Sequence, residues 1–154
     1  MKRIVMLLSL AVLFVGATVC LADSPQMGTW KLNEAKSKFG PGATKNSTVV
    51  YEAAGDRVKV TVDGTDGDGK PSHNEWTGKF DSKFYAVSGD PTSDMRSYRK
   101  INNHTLALTA KQGGKVTLTG RIVVSANGKT RTVTTNGTNS KGKRVSTRAV
   151  YDKQ

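Results

Sequence analysis

Residues 57–64 read RVKVTVDG, and the strict alternation in this stretch decides the fold class. Val58, Val60 and Val62 fall on one face of an extended chain, because successive side chains of a strand point to opposite sides. Basic and polar residues occupy the other face. A strand of this kind buries its apolar face against another layer while its polar face meets water.

The same two-residue period continues through most of the chain. It is visible in TLALTA at 105–110 and in KVTLTGRIVV at 115–124, and turn residues separate such segments. Only residues 33–39 are typical of a helix, of at most two turns. Sequential hairpins without covering helices favour an all-β fold: an antiparallel up-and-down β-barrel or flattened clam of about ten strands, with at most one short helix after the first strand. The predicted strands are 27–33, 47–54, 57–64, 71–80, 83–88, 95–101, 105–112, 115–125, 130–137 and 143–152.

The first 22 residues differ from the rest in composition. A positively charged start precedes 16 apolar or small residues without a charge, and small side chains at Cys20 and Ala22 mark a cleavage position. The run is shorter than the roughly 20 residues that a membrane-spanning helix needs, and Val19 does not suit a lipid-modified cysteine after it. The sequence therefore predicts a signal peptide at residues 1–22, a single domain at residues 23–154, and a periplasmic or secreted protein.

Charge and cysteine content limit the function classes. Without the predicted signal peptide the chain has 22 basic and 12 acidic residues, a net charge of +10. This charge favours anionic partners. For an exported protein these are a small anion or an anionic lipid or polysaccharide surface, and not nucleic acid; solubility alone is the alternative interpretation. Cys20 is the one cysteine, so the sequence predicts no disulfide, thiol nucleophile or cysteine-ligated zinc in the domain.

The stretch GTWKL at 28–32 carries a resemblance to a known superfamily. Gly28 and Trp30 match the Gly-x-Trp signature on the first strand of the calycins, which include lipocalins and fatty-acid-binding proteins. The number of predicted strands, the length and the ending RAVYDK are similar to the fatty-acid-binding branch. The stretches GTWKLN and HNEWTGKFD also resemble a group of small exported bacterial proteins. The resemblance implies that Trp30 closes one end of a barrel, that Gly28 permits a close backbone approach, and that Arg148 or Arg121 stacks on the indole.

The chain departs from the fatty-acid-binding branch in two places. That branch has a helix–turn–helix lid between its first two strands, whereas residues 33–46 leave room for one short helix, so the lid must be reduced or missing. The branch also binds the ligand carboxylate with an Arg-x-Tyr pair on the last strand. Here the spacing is Arg148-x-x-Tyr151, which places the two side chains on opposite faces. We therefore do not expect Arg148 and Tyr151 to bind a ligand carboxylate as a pair.

The sequence contains two similar stretches, which we call the echo. VTVDGTDGDGK at 60–70 and VTTNGTNSKGK at 133–143 share several residues at an offset of 73, centred on the stretches 63–70 and 136–143. One interpretation is a duplicated half-barrel. The other is that similar hairpins need similar turn residues.

The candidates for catalysis and metal binding are few. His73 and Glu75 share a strand face without an apparent third ligand, and their polar neighbours favour a solvent-facing pair. The loop 64–75 fits an EF-hand only in part, and an Asp/Gly-rich hairpin turn explains it better. The sequence has no Gly-x-Ser-x-Gly and no carboxylates paired by spacing. We therefore expect that the protein is not an enzyme and has no cofactor and no metal site. A hydrolase is the third alternative, after the two binding functions described next.

A ligand cavity is the functional hypothesis that the sequence favours. We expect a monomeric, non-catalytic binding protein for a small hydrophobic or amphiphilic, anionic ligand. Arg99 and Arg131 are the candidates for neutralising the anion. The alternative is a filled barrel that docks through its basic surface on an anionic envelope component. The predicted cavity lining consists of Trp76, Phe80, Tyr85, Leu106, Leu108, Leu118, Ile122 and Tyr151.

Overall fold

The structure is a computed structural model that describes residues 23–154. The predicted signal peptide at 1–22 lies outside the described residues. The strands in the described range are β1 (Gly28–Leu32), β2 (Lys38–Phe39), β3 (Lys45–Ala54), β4 (Arg57–Thr65), β5 (Pro71–Gly78), β6 (Tyr85–Ser88), β7 (Met95–Asn102), β8 (Thr105–Gln112), β9 (Lys115–Val124), β10 (Thr130–Thr138) and β11 (Arg144–Lys153). No helix in this range is long and apolar enough to cross a membrane.

The strands form one closed antiparallel barrel. From β3 onward each strand pairs with the next along the chain, and β1 pairs with both β3 and β11. Trp30 stands opposite Val49 on one side and Lys153 on the other, which closes the ring. Ten strands make the barrel, and the two-residue strand β2 adds to the edge of β11. The predicted all-β antiparallel barrel is confirmed.

The connection between β1 and β3 differs from the prediction. Residues 33–39 were expected to form a short helix, but a single 3-10 turn spans Glu34–Lys36, and Phe39 belongs to β2. The Asn33 side chain accepts a hydrogen bond from the backbone of Lys36, as a helix cap does, and Ser37 then returns to an extended conformation. The connection is therefore too short for a helix–turn–helix lid.

The barrel has a base and a mouth. The chain enters at the base, where β1 begins, and the turns at 55–56 and 125–129 lie at the same end. The connections at 40–44, 66–70, 89–94 and 139–143 lie at the opposite end, which we call the mouth. Trp30 is fully buried near the base, where its indole Nε1 donates to the carbonyl of Gln26 at 2.9 Å.

Gly28 occupies a position that only glycine takes easily. Its φ is +104°, and an added Cβ would lie 3.1 Å from Cε of Lys153. The amine of Lys153 in turn lies 5.2 Å from the centre of the Trp30 ring. The Gly-x-Trp stretch therefore fits the end of the chain against the first strand at the base.

An aromatic cluster packs the interior between base and mid-barrel. Trp76 contacts Tyr98 edge to face at 4.7 Å between ring centres, and it stacks on Phe80 at 6.5 Å. Tyr51 lies 6.4 Å from both Tyr98 and Phe80. Packed valines from β3 and β4 complete the wall. Tyr51, Trp76 and Tyr98 point inward because the side chains of a strand alternate between its two faces, and Phe80 packs on them from the connection after β5.

The two halves of the sequence echo form the same turn at the mouth. Asp66 accepts backbone hydrogen bonds from residues 68 and 70 through its side chain, and Asn139 does the same for residues 141 and 143. Lys141 joins the two turns by an ion pair with Asp68 at 2.7 Å. The loop 64–75 is thus a hairpin turn in which Asp66 organises the backbone.

Candidate functional site

A cavity of about 190 Å³ lies inside the barrel and opens at the mouth. Its upper walls come from the connections at 40–44 and 89–93, and its lower part reaches Tyr51, Arg131 and Tyr151. Leu108, Leu118, Ile122 and Val133 supply an apolar wall along one side. The cavity therefore combines an apolar body with a polar, positively charged floor.

Arg131 forms this floor. It is 3% exposed, and its Nη2 donates to the hydroxyl of Tyr51 at 2.7 Å. The guanidinium carbon lies 4.6 Å from the Tyr51 ring centre, 5.6 Å from that of Tyr151 and 5.8 Å from that of Trp30. Nε and Nη1 have no hydrogen-bond partner among residues 23–154. These two nitrogens carry three of the five N–H donors of the group.

The tyrosines around Arg131 cannot neutralise it at physiological pH. Burial raises the pKa of Tyr51 far above its usual value, although the nearby Arg131 charge opposes this shift. Burial likewise raises the pKa of Tyr151 to about 12 against the opposing effect of Arg131. Both phenols therefore remain neutral and supply no negative charge to the guanidinium. The floor of the cavity holds a positive charge without a counter-ion in the described part of the chain.

A second arginine of the cavity, Arg96, differs from Arg131 in this respect. It is 8% exposed, and its Nη2 contacts the Asp90 carboxylate at 3.1 Å and the Asn74 side-chain oxygen at 3.3 Å. Burial opposes the charge on Asp90, but hydrogen bonds from Ser93 and Thr92 and the Arg96 charge hold its pKa below its usual value. Burial also opposes the charge on Arg96, yet its neighbours raise its pKa. The charge of Arg96 is thus neutralised by Asp90, whereas the charge of Arg131 has no such partner among the described residues.

The predicted lining residues fall into three groups. Leu108, Leu118, Ile122 and Tyr151 line the cavity. Phe80 and Leu106 line a separate depression at the base, beside residues 23–26. Trp76 is 1% exposed within the aromatic cluster, and Tyr85 packs against it at 5.8 Å between ring centres, so neither lines the cavity.

The structure corrects three of the arginine predictions. Arg148 and Arg121 do not stack on Trp30: both are exposed on the outer face, where Arg148 donates to the carbonyl of Lys36. The cations nearest the Trp30 ring are Arg131 and Lys153. Arg99 is also exposed on the outer face and does not reach the cavity. The cause in each case is strand parity, since these residues alternate with inward neighbours.

Sequence reasoning missed Arg96, Asp90 and the inward pair Tyr51 and Tyr98. The stretch MRSYRK at 95–100 has no apolar alternation that would show which arginine faces inward. Asp90 lies in a connection, and its pairing with Arg96 depends on how the connection folds back. The strand register decides the matter in the structure, where Arg96 stands opposite Ala110, a buried position of β8.

His73 and Glu75 lie on the outer face, as the polar neighbours suggested. His73 Nδ1 is 2.6 Å from the Asp63 carboxylate, and its Nε2 is 3.7 Å from Glu75, which pairs with Lys59 at 3.0 Å. The hydrogen bond to Asp63 raises the pKa of His73. No group of three metal-ligating side chains with suitable geometry occurs in residues 23–154.

Comparison with known proteins adds no assignment. No protein-family model matches the chain, and no curated protein matches it significantly.

Proposed function

We propose that this protein is a non-catalytic carrier or sensor of a small amphiphilic anion, which it binds inside the barrel with the anionic group on Arg131. The observation that carries the proposal is the buried guanidinium of Arg131, a residue of the cavity floor, whose Nε and Nη1 have no hydrogen-bond partner among residues 23–154. An uncompensated buried charge is costly, and a bound anion would offset that cost.

The contrast between the two cavity arginines supports a ligand site at the floor. Arg96 already has Asp90, whereas Arg131 has only a neutral phenol and three aromatic faces. Aromatic faces stabilise a cation by a modest amount, and they leave the N–H donors free. A carboxylate that reaches the floor would accept charge-assisted hydrogen bonds, which are about twice as strong as neutral ones.

The size of the cavity limits the ligand. About 190 Å³ is smaller than the roughly 300–1,000 Å³ of most ligand pockets, and somewhat larger than a cavity of about 150 Å³ that holds benzene. The apolar wall of Leu108, Leu118 and Ile122 suits a hydrocarbon body. The ligand class that fits is a short-chain, medium-chain or aromatic monocarboxylate, not a long-chain fatty acid enclosed entirely within the barrel.

The same features support membership of the calycins as part of the proposal. Gly28 and Trp30 stand at the base, and a cation from a late strand, Arg131, lies over the indole. The carboxylate-binding role would pass from the last strand to the pair of Arg131 and Tyr51. Export to the periplasm or outside the cell, by the segment at 1–22, belongs to the same proposal.

The test is calorimetric titration of the purified protein with octanoate and with octanol. Octanoate should bind about tenfold or more tightly than octanol, because only octanoate supplies a charge to Arg131. Arg131→Met should abolish this preference, and Arg131→Lys should retain part of it. The matched control is Arg121→Met, the same substitution on the outer face, which should leave both affinities unchanged.

Two outcomes would contradict the proposal. One is that the wild-type protein binds neither compound. The other is that folded Arg131→Met keeps the preference for octanoate, which would assign Arg131 to closing the base with Trp30 alone. Native mass spectrometry of the protein before and after organic extraction then identifies the natural ligand by the mass that extraction removes.

A further inference from the structure

Charge is divided unequally between the two halves of the barrel. Residues 95–154, which form β7–β11, contain 13 basic residues and one acidic residue, Asp152. Residues 23–94, which form β1–β6, contain nine basic and eleven acidic residues. The first half thus has a formal charge of −2 and the second a charge of +12. A surface of this kind attracts polyanions over distances of about a Debye length.

Part of this charge is ordered by the strand register. Across the outer face, Arg99 stands opposite Ala107, Ala107 opposite Arg121, Arg121 opposite Thr134, and Thr134 opposite Arg148. Lys38 of β2 continues the row beside Arg148. We call these six positions the basic row. Successive arginines lie two strands apart, about 10 Å at the usual strand spacing.

Among the described residues the arginines of the basic row form no salt bridges, although Asp81 is the strand-bridge partner of Arg99. Arg99, Arg121 and Arg148 are exposed, and within residues 23–154 none of them forms a salt bridge. The outer charges of the other half behave differently, since Lys59 pairs with Glu75 and Lys79 pairs with Asp56. The row is therefore open to an external anion.

The shape of the row distinguishes between polyanions. In a ring of ten strands each strand turns the surface by about 36°, so Arg99 and Arg148 face widely different directions. A flat bilayer cannot meet both at once, whereas a flexible linear chain can follow the curve. Both aromatic residues of the 95–154 half, Tyr98 and Tyr151, are buried, so this face lacks the stacking platforms that single-stranded nucleic acids use.

The neighbouring row offers hydroxyl and amide groups. Thr119, Asn136 and Ser146 stand opposite one another toward the mouth, and all three are exposed. Such groups can exchange hydrogen bonds with sugar hydroxyls, while the arginines meet carboxylates or sulfates.

We propose that the outer face of β7–β11 binds a linear acidic polysaccharide that runs across the strands along the basic row. This binding is separate from the interior site, because the side chains of the row point away from the cavity.

The experiment measures binding of a labelled polygalacturonate oligomer by fluorescence anisotropy at 50 and 200 mM NaCl. The variants are Arg121→Ser/Arg148→Ser and the control Lys31→Ser/Lys83→Ser, which removes equal charge from exposed positions outside the row. The row variant should lose about tenfold in affinity and part of the salt dependence. The control should lose less than about twofold. Thermal unfolding verifies that both variants are folded.

Three outcomes would overturn the proposal. The first is no binding by the wild-type protein at 50 mM NaCl. The second is an equal loss in both double variants, which would indicate a response to net charge alone. The third is tighter binding, dependent on Arg121 and Arg148, to phosphatidylglycerol vesicles or to a DNA duplex at the same charge concentration. Vesicles are the closer competitor, because Ile101 and Val123 are exposed beside the row.

Discussion

At the scale of single residues, two buried arginines in one cavity serve different purposes because their neighbours differ. Arg96 is held by Asp90 and Asn74, so its charge is a fixed part of the wall. Arg131 touches a neutral phenol and aromatic faces, so its charge is available to a ligand. Substitution of Asp90 beside Arg96 and of Tyr51 beside Arg131 should therefore have different effects.

Asp90→Asn should destabilise the protein by about 3 kcal/mol at neutral pH, since it leaves the Arg96 charge buried and unpaired. The pKa of Asp90 is lowered in the folded state, so its carboxylate stabilises the fold above the ordinary carboxyl pKa of about 3.9. That contribution is lost as the pH falls through the folded-state pKa. Urea unfolding at pH 7 and at low pH should show the difference between wild type and variant shrinking on acidification.

The control for this prediction is Asp56→Asn, which breaks the exposed pair with Lys79. Its free energy of unfolding should stay close to that of the wild type, because exposed pairs contribute little. Equal destabilisation by both variants would contradict the assigned role of Asp90.

Tyr51→Phe should destabilise the protein by about 1–2 kcal/mol, because it removes a hydrogen bond to a charged, buried group. It should leave the preference for octanoate over octanol, since the Arg131 charge remains. Chemical unfolding and calorimetry on the same sample check both parts. A full loss of the preference would show that the Tyr51 hydroxyl, and not the guanidinium, selects the anion.

The sequence could identify Arg131 only as one of two candidates. In TRTVTT at 130–135, Arg131 lies two residues from the apolar Val133, so both are expected to point inward. The residues before Arg99 do not alternate between apolar and polar, so they do not show which way Arg99 points. Arg96 and Arg99 are three residues apart, so one faces inward and the other outward. Which of them is buried depends on the register with β8, and a single sequence does not contain that register.

At the scale of elements, the segment at 33–39 lies between β1 and β3, where the fatty-acid-binding branch has its lid. Here the segment packs against the outside of the barrel. The hydroxyl of Ser37 accepts a hydrogen bond from the backbone of Val150 at 2.8 Å and donates to the carbonyl of Asn33 at 2.7 Å. Val150 is buried on the outer side of β11 because this segment covers it. The mouth therefore remains open to ligands.

Ser37→Ala should lower the free energy of unfolding by about 1–2 kcal/mol, because it leaves the Val150 N–H without its partner. The control is Ser146→Ala, which removes an exposed hydroxyl on β11, the strand of Val150, and should have little effect. Guanidinium unfolding of the three proteins provides the comparison. Equal stability of Ser37→Ala and the wild type would mean that the segment is not anchored through this hydroxyl.

The strands themselves were predictable from the sequence, and the short elements were not. Two-residue alternation and turn residues indicate where the ten strands of the barrel lie, because each strand buries one face. The stretch NEAKSKF at 33–39 has helix-forming residues, but local propensity yields here to the pairing of Lys38 and Phe39 with β11. The stretches 63–70 and 136–143 form turns of the same kind, which fits both interpretations of the echo.

At the scale of the whole molecule, the barrel combines an interior site with an asymmetric exterior. The basic half, with a formal charge of +12 on residues 95–154, repels itself at low ionic strength. The interior site and the basic row are on opposite sides of the same strands, so one substitution can test either without the other.

Raising NaCl from 10 to 200 mM should increase the melting temperature by about 3 °C, because salt screens this repulsion. Arg121→Ser/Arg148→Ser should show a smaller increase, since part of the repulsion is already removed. Calorimetric melting at each salt concentration measures both. A melting temperature that falls with salt would contradict the account of the charged face.

The most direct test of the interior site is NMR spectroscopy of the arginine Nε–H groups during titration with octanoate. The Arg131 signal, identified by its absence in Arg131→Lys, should shift with octanoate and not with octanol, while the Arg121 signal should stay in place. This result would show that the anion meets the unpartnered guanidinium at the floor of the cavity. Saturable octanoate binding without any change at Arg131 would contradict the central claim.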